Sequence, residues 1–212
     1  MLKIGILVSG GGTNFQAIVN AIETGNLVDT EIVTLVSSNP NAYALERAKR
    51  HNIDAVCIRK KDYDTDILYQ QALIDHMKNK NVELIVMAGF MVVIGSLFIK
   101  EFENKIINIH PSLIPSFCGN GYYGLKVHEA ALKKGVKVTG ATVHFVTEET
   151  DAGPIIMQKP VFILDEDTPE LLQKRVMEEA EWEILPRAIQ LFAHNRLKVI
   201  ENHVKILNLG GK

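Results

Sequence analysis

Residues 4–14 read Ile-Gly-Ile-Leu-Val-Ser-Gly-Gly-Gly-Thr-Asn, and no other stretch indicates as much about how this chain folds. The first five residues form a short apolar run of the kind found in buried strands. Three glycines follow, and apolar side chains at helical spacing then predict a helix over residues 14–23. A buried strand, a glycine turn and a helix are typical of the opening unit of a parallel α/β sheet.

The same alternation continues along the chain. Further strands are predicted over residues 31–37, 55–58, 84–88 and 106–110, and helices over 42–51 and 62–80. Because the strands are continuous apolar runs, we expect a mostly parallel, nucleotide-binding-like sheet with helices on both faces.

The pattern changes after residue 110. The sequence there predicts a short helix over residues 125–133, strands over 142–146 and 155–163, a long helix over 169–193, and two short strands within 197–207. We therefore expect one α/β domain over residues 1–212, with a phosphate-binding half at 1–110 and a mixed half at 111–212. In such sheets ligands bind outside the carboxyl ends of the strands.

Composition excludes several classes of protein. A chain of 212 residues suits one domain with a buried core. Its net charge of −2 gives no basic surface for nucleic acid. The two cysteines, Cys57 and Cys118, form no CxxC motif, which favours a reducing compartment. The apolar run at residues 4–8 is too short to cross a membrane. We therefore expect a cytoplasmic protein with no nucleic-acid and no membrane partner.

The glycine loop after the first strand suits a phosphate group. Its glycines let the backbone approach a ligand, and the following helix N-terminus favours an anion. Thr13 or Asn14 can cap that helix or donate to the same anion. Phe15 replaces the last glycine of GxGxxG and no P-loop lysine follows, so a monophosphate is predicted. The alternative is a tight turn without a ligand.

Three polar residues further along form a candidate catalytic group. Asn108 and His110 are two residues apart in a predicted strand, so their side chains point the same way. An amide and an imidazole can stabilise the oxyanion of an acyl-transfer intermediate. Asp151, in a turn between two strands, is the candidate base, and we expect it to raise the pKa of His110 and keep that imidazole charged. The alternatives are a polar strand end and an Asx turn.

Four motifs at these positions carry a family resemblance. They are ILVSGGGTNFQ at residues 6–16, AGFM at 88–91, NIHPSLIP at 108–115 and VHFVTEETDAGP at 143–154. The chain resembles the phosphoribosylglycinamide formyltransferases over roughly residues 3–197. This resemblance implies transfer of a formyl group from 10-formyltetrahydrofolate to the amine of glycinamide ribonucleotide in purine synthesis, without a metal.

The resemblance also implies site residues. The catalytic group would be Asn108, His110 and Asp151, and the phosphate would lie on Gly11, Gly12, Thr13 and Asn14. Glu181 would bind the ribose, with Glu178 and Glu179 as alternatives on the same helix. The folate would contact Met91, Val92, Val93, Ile94, Val146, Thr147, Glu148 and Thr150.

Two departures from the family pattern stand out. Val92 occupies a position where relatives often have arginine, so any side-chain contact of that arginine is lost. Residues 117–124 are longer than the corresponding turn of many relatives and are expected to alter a loop beside the acceptor site. Among the other histidines, His144 is expected to play a supporting role and His128 to lie at the surface. The protein is expected to be a monomer or a homodimer.

Rival functions come from two classes. Formyltetrahydrofolate deformylases and methionyl-tRNA formyltransferases carry an additional domain, whereas the catalytic strand here is expected to begin at Lys3 and the chain to end soon after its last helix. A non-catalytic phosphate- or nucleotide-binding module would use the glycine loop but would not need Asn108, His110 and Asp151 together. Formyl transfer is therefore the predicted function, with the folate hydrolase and the binding module as alternatives.

Overall fold

The computed structural model describes residues 1–207, and the chain divides into two compact units. The first unit ends at Asn108 and the second begins at Ile109. The sequence placed the change of pattern two residues later. That the two halves form one domain stays a prediction.

The first unit contains a parallel sheet, as predicted. Its strands are β1 (Leu2–Val8), β2 (Thr30–Ser37), β3 (Ala55–Cys57), β4 (Leu84–Met87) and β5 (Ile106–His110), the last of which ends in the second unit. They are ordered β3-β2-β1-β4-β5, and every pair is parallel. In β1, Leu2 pairs with Thr30 and Val8 with Ser37. The order reverses between β1 and β4, which is where ligands bind in such sheets.

The helices of the first unit follow the strands. They are α1 (Thr13–Glu23), α2 (Tyr43–Arg50), α3 (Asp66–Asn79) and α4 (Ser96–Glu101). Because parallel crossovers are right-handed, α1 and α2 cover one face of the sheet and α3 covers the other. The helix predicted over residues 62–80 starts later, since Thr65 caps α3 by accepting a hydrogen bond from the Leu68 amide. The short helix α4 was not predicted.

Close packing between β1 and α3 depends on a glycine. A Cβ atom at Gly5 would lie 2.8 Å from the Sδ atom of Met77 on α3. Met77 is fully buried, as are Ile4 and Ile6 on either side of the glycine. The apolar run that identified the first strand is therefore the centre of this unit's core.

The second unit has a mixed sheet. Its strands are β6 (Val138–Phe145), β7 (Ile155–Phe162), β8 (Leu197–Ile200) and β9 (His203–Ile206), in the order β6-β7-β9-β8. β6 and β7 are antiparallel, as are β8 and β9, whereas β7 and β9 are parallel. The predicted α/β class with a mixed C-terminal half is confirmed.

The long helix predicted over residues 169–193 is continuous but changes its winding. It consists of α6 (Pro169–Val176), a π-helical turn (Met177–Glu181) and α7 (Trp182–Ala193), and the short helix α5 (Leu125–Lys134) precedes it in the chain. Pro186 lies inside α7 and has no N–H to donate to the carbonyl four residues earlier. Turns of π-helix are frequent at functional sites, and this one ends at Glu181. Within residues 1–207, no helix has the length and apolar character needed to cross a membrane.

His128 on α5 is fully buried, so the prediction that it lies at the surface was wrong. Neither ring nitrogen has a hydrogen-bond partner among residues 1–207. Burial, followed by the charge of His110, lowers the pKa of His128 from 6.5 to about 4. The folded protein therefore holds this imidazole neutral where the unfolded chain protonates it.

Acid should accordingly destabilise the fold through His128. Because the folded pKa is the lower one, the unfolded state binds the extra proton, and stability is lost as the pH falls from 6.5 to about 4. The full difference is about 3 kcal/mol for this one group. We expect His128→Leu to reduce the drop in unfolding free energy between about pH 7 and about pH 4.5, measured by urea denaturation. The same replacement at exposed His194 should leave that drop unchanged, and equal drops in all three proteins would contradict the assignment.

Candidate active site

The glycine loop takes its shape from Gly12. This residue has a φ of 72°, and a Cβ atom there would lie 2.7 Å from the Cβ of Ala44. Gly12 also holds the N-cap position of α1, so Thr13 is the first helical residue. Of the two roles that the sequence offered for Thr13 or Asn14, capping the helix was therefore wrong, and donation to the anion stays a prediction. The loop does lead directly into a helix N-terminus, where the helix dipole favours an anion.

Helix α2 holds the carbonyl side of this loop. The Ala44 amide donates to the Gly10 carbonyl at 3.2 Å, and Nε of Arg47 donates to the Gly11 carbonyl at 2.9 Å. The Arg47 guanidinium also lies over the ring of Tyr43, 5.0 Å from its centre. Two loop carbonyls are thus satisfied on the α2 side, and a positive charge lies next to the predicted phosphate site.

The loop after β4 is tied to the loop after β1. The Ser9 amide donates to the Gly89 carbonyl at 3.0 Å, and the Met91 amide donates to Oγ of Ser9 at 2.8 Å. Of the predicted folate residues here, Met91 and Val93 expose 50% and 66% of their surface, Val92 is half-buried and Ile94 is buried. The predicted phosphate and folate residues of the first unit therefore follow adjacent strands at the switch point.

His110 and Asp151 lie together in the second unit, although forty-one positions separate them in the sequence. Nδ1 of His110 lies 3.6 Å from Oδ2 of Asp151, and both side chains are largely buried. Nε2 of His110 lies 2.9 Å from the Phe117 carbonyl. A carbonyl only accepts, so Nε2 carries a proton and Nδ1 is the nitrogen that gains or loses one. Asn108 lies two residues before His110 in β5, so its side chain leaves the strand on the same face.

Asp151 has a constrained backbone and three polar neighbours. Its φ is 56°, a left-handed conformation that Asp and Asn adopt more readily than most residues. The Gly119 amide donates to Oδ2 at 2.8 Å, and Nε2 of His144 lies 3.7 Å from Oδ1. Burial alone would raise the pKa of Asp151, but His144, His110 and the Gly119 amide together lower it. The carboxylate is therefore ionised at neutral pH, as a base must be.

The pKa of His110 shifts opposite to the sequence-based expectation. Burial lowers the pKa of this imidazole by more than Asp151 and the hydrogen bond to Phe117 raise it. The expectation that Asp151 keeps His110 charged was therefore wrong, because it omitted the cost of burying an imidazolium ion. Near neutral pH, the pair consists of a neutral imidazole and an ionised carboxylate.

One segment of the chain contacts both His110 and Asp151 through its backbone. Residues 117–124 supply the carbonyl that accepts from His110 and the amide that donates to Asp151. Phe117 has a φ of 50°, an uncommon conformation for a bulky residue, and its ring packs edge-on against Tyr122 with centroids 6.3 Å apart. The sequence placed this segment beside the acceptor site but gave no sign of these two backbone contacts.

The remaining predicted site residues lie on a loop and on the last helix. Val146 is half-buried, whereas Thr147, Glu148 and Thr150 are exposed in the loop between β6 and β7. A Cβ atom at Gly153 would lie 1.9 Å from the Phe145 carbonyl, so this loop returns close to the end of β6. Of the three candidate glutamates, Glu178 and Glu179 are exposed and Glu181 is buried, which favours Glu181 for a specific role. In the part of the chain that the structure describes, no three or more His, Cys, Asp or Glu side chains are placed so that they could hold a metal ion.

Comparison with known proteins identifies the family of this chain. A model of the formyl transferase family matches residues 2–189. The chain belongs to this family. The phosphoribosylglycinamide formyltransferase of Haemophilus influenzae is 37% identical to this formyl transferase over 202 residues, which are 95% of this chain and 92% of that protein. The Bacillus subtilis protein of that name is 40% identical over 176 residues, covering 83% and 87% of the two chains.

Solved structures show the same fold. Glycinamide ribonucleotide transformylase 1 from Symbiobacterium toebii matches this formyl transferase with a TM-score of 0.92 at 40% identity, covering 98% of this chain and 95% of that one. The resemblance inferred from the four sequence motifs is confirmed. The roles of individual residues in this formyl transferase stay predictions, now with the contacts described above.

Proposed function

We propose that this protein transfers the formyl group of 10-formyltetrahydrofolate to the amine of glycinamide ribonucleotide, with Asn108, His110 and Asp151 as the catalytic group. The observation that carries the proposal is the buried pair in the second unit, where an ionised Asp151 lies 3.6 Å from His110. A base and a proton carrier in contact are what amine acylation needs. The proposal also agrees with the names of the relatives.

The proposed reaction moves one proton, from the attacking amine to N10 of the folate. The amine nitrogen attacks the formyl carbon and a C–N bond forms, giving a tetrahedral intermediate. Asp151 takes the proton that the attacking nitrogen loses, directly or through Nδ1 of His110. That proton then passes to N10 of the folate as the bond between N10 and the formyl carbon breaks. The products are a formamide and tetrahydrofolate, and neither an oxidant nor a metal is required.

The oxyanion of the intermediate needs preset donors. The amide of Asn108 is one, and the Nε2 proton of His110 is the other. That proton is directed at the Phe117 carbonyl in the structure. A developing oxyanion competes for it, because charged acceptors form stronger hydrogen bonds than neutral carbonyls.

The substrates are assigned to the remaining predicted residues. Gly11, Gly12, Thr13 and Asn14 would bind the phosphate of the acceptor at the N-terminus of α1. Glu181 would bind its ribose, a role that its burial at the end of the π-helical turn supports. The pterin of the carrier would lie against Met91, Val92, Val93 and Ile94, and the folate contacts would include Val146, Thr147, Glu148 and Thr150. Formyl-folate is thus a co-substrate, and the proposal includes no metal.

A turnover assay tests the proposal. Purified protein, 10-formyltetrahydrofolate and glycinamide ribonucleotide should yield tetrahydrofolate and formylglycinamide ribonucleotide in equal amounts. Folate deformylation that does not depend on the acceptor would instead identify a hydrolase. A folded protein that binds the ribonucleotide without turnover would be the non-catalytic binding module.

Thr13→Ala should mainly weaken binding of the acceptor. Thr13 is the first residue of α1, so its hydroxyl is placed to donate to a phosphate at the helix N-terminus. Loss of one hydrogen bond to a charged group costs about 1.5–3 kcal/mol, which predicts a rise of about tenfold or more in KM for the ribonucleotide. The kcat should change little, and Thr24→Ala at the other end of the same helix is the control. An unchanged KM would place the phosphate elsewhere.

We further infer a cytoplasmic enzyme that acts on small molecules. Cys57 and Cys118 are both free thiols, which fits a reducing compartment. Whether the protein is a monomer or a homodimer stays an open prediction.

A further inference from the structure

A second imidazole lies against the proposed base. His144 is in β6, and its Nε2 atom lies 3.7 Å from Oδ1 of Asp151. Its side chain is only 2% exposed, compared with 10% for Asp151. The mechanism described above gives His144 no part, yet the residue lies as close to the carboxylate as His110 does.

The orientation of His144 is fixed by the backbone. Nδ1 lies 2.9 Å from the carbonyl of Phe145, so this nitrogen carries a proton and donates it. Nε2 is then the nitrogen directed at Asp151, and it donates to Oδ1 when it carries a proton as well. His110 has the same arrangement with its nitrogens exchanged, since Nε2 donates to the Phe117 carbonyl and Nδ1 is directed at the carboxylate.

Asp151 is therefore held between two imidazoles, one at each oxygen. Oδ2 accepts from the Gly119 amide and is the oxygen nearest to His110, whereas Oδ1 is the oxygen nearest to His144. The Gly119 amide at 2.8 Å and an imidazole near each oxygen restrict rotation of the carboxylate about its Cβ–Cγ bond. Oδ2 consequently stays directed at His110.

We propose that His144 is a positioning residue of the reaction, which keeps the carboxylate of Asp151 ionised and turned toward His110. The proposal deepens the function proposed above and rests on it. His144 would not touch the substrates. It would act through Asp151, and its loss would alter the base without removing it.

The groups around Asp151 predict the direction in which its pKa moves when His144 is lost. Burial acts to raise the pKa of Asp151, and the largest opposing contribution comes from His144, followed by the charge of His110 and the Gly119 amide. Cys118 also interacts with Asp151, and its pKa is raised first by burial and then by the carboxylate. His128 is not among the groups that shift the pKa of Asp151; its own pKa is lowered by burial and then by the charge of His110. Without His144, burial would raise the pKa of Asp151 with less opposition.

Two amide variants distinguish the roles of the two nitrogens of His144. An asparagine nitrogen can take the place of Nδ1 and keep the contact with the Phe145 carbonyl, but it does not reach Asp151. A glutamine nitrogen extends to the position of Nε2 and can still donate to Oδ1. We therefore expect His144→Asn to move the acidic limb of the kcat/KM profile upward by about one pH unit, and His144→Gln to move it by less than half of that. His194→Asn, at an exposed histidine, should leave the profile unchanged.

A direct titration distinguishes failure of this proposal from failure of the proposed function. The carboxyl carbon of Asp151, labelled with ¹³C and assigned by comparison with Asp151→Asn, reports its pKa in the resting protein. A higher pKa in His144→Asn, partly restored in His144→Gln, supports the positioning role even if the wild-type protein transfers no formyl group. Identical Asp151 titrations in all three folded proteins would overturn it, even if the wild-type protein is fully active.

Discussion

Asp151→Asn lowers kcat for formyl transfer by at least about a hundredfold, because an amide cannot accept the proton that the attacking amine must lose. Asparagine suits this position structurally. It tolerates the φ of 56°, and its oxygen can still accept from the Gly119 amide. The loss should therefore appear in kcat, with KM for either substrate changed by only a few-fold. Steady-state kinetics with the ribonucleotide and formyl-folate measure both quantities.

The matched control is an exposed carboxylate in the same unit. Asp165→Asn removes one charge from a side chain that is 93% exposed and paired with Lys137 at the surface. Its kinetics should equal those of the wild-type protein. If Asp151→Asn retained more than about a tenth of the wild-type kcat, Asp151 would not be the base, and a water or another side chain would have to take the proton.

His110→Ala lowers kcat by about a hundredfold or more, through loss of an oxyanion donor. The imidazole also supplies the nitrogen nearest to the base, with 3.6 Å between Nδ1 and Oδ2 of Asp151. Removing it affects both the stabilisation of the oxyanion and the movement of the proton. Single-turnover experiments with enzyme in excess should show the loss in the chemical step and leave ribonucleotide affinity nearly unchanged.

His110→Gln refines this result. A glutamine nitrogen can reach the place of Nε2 and donate to the oxyanion, but it carries no titratable nitrogen toward Asp151. We expect its activity to lie between the wild-type protein and His110→Ala, and His194→Ala to be fully active. Equal losses for glutamine and alanine would assign His110 to proton transfer alone. Near-normal rates for both would remove it from the mechanism.

Much of the fold could be predicted because strands and helices differ in hydrophobic period. The predictions at residues 106–110 and 155–163 match β5 and β7 to within one residue. The start of α3 was wrong because a local cap at Thr65 decided it. The turn of π-helix at Met177–Glu181 could not be predicted, because the hydrophobic pattern of the sequence is that of a continuous helix.

The site was predictable where side chains define it. Asn108, His110 and Asp151 were chosen for their chemistry, but the residues alone could not place Asp151 beside His110, and only the family resemblance implied that the two act together. The direction of the pKa shift at His110 was not predictable, because it depends on how deeply the ring is buried. The burial of His128 was missed for the same reason. The contacts from Phe117 and Gly119 come from peptide groups, which every residue carries.

Because these two contacts come from the main chain, positions of the segment with ordinary backbone angles, such as Cys118, can exchange their side chains over evolution without disturbing His110 or Asp151, whereas Gly119, with a φ of 83°, favours glycine. A change in the number of residues between Phe117 and Gly119 would shift the carbonyl relative to the amide and break at least one contact. Natural variation between these two positions should therefore consist of substitutions, and insertions or deletions should occur only after Gly119, where the chain leaves the catalytic pair.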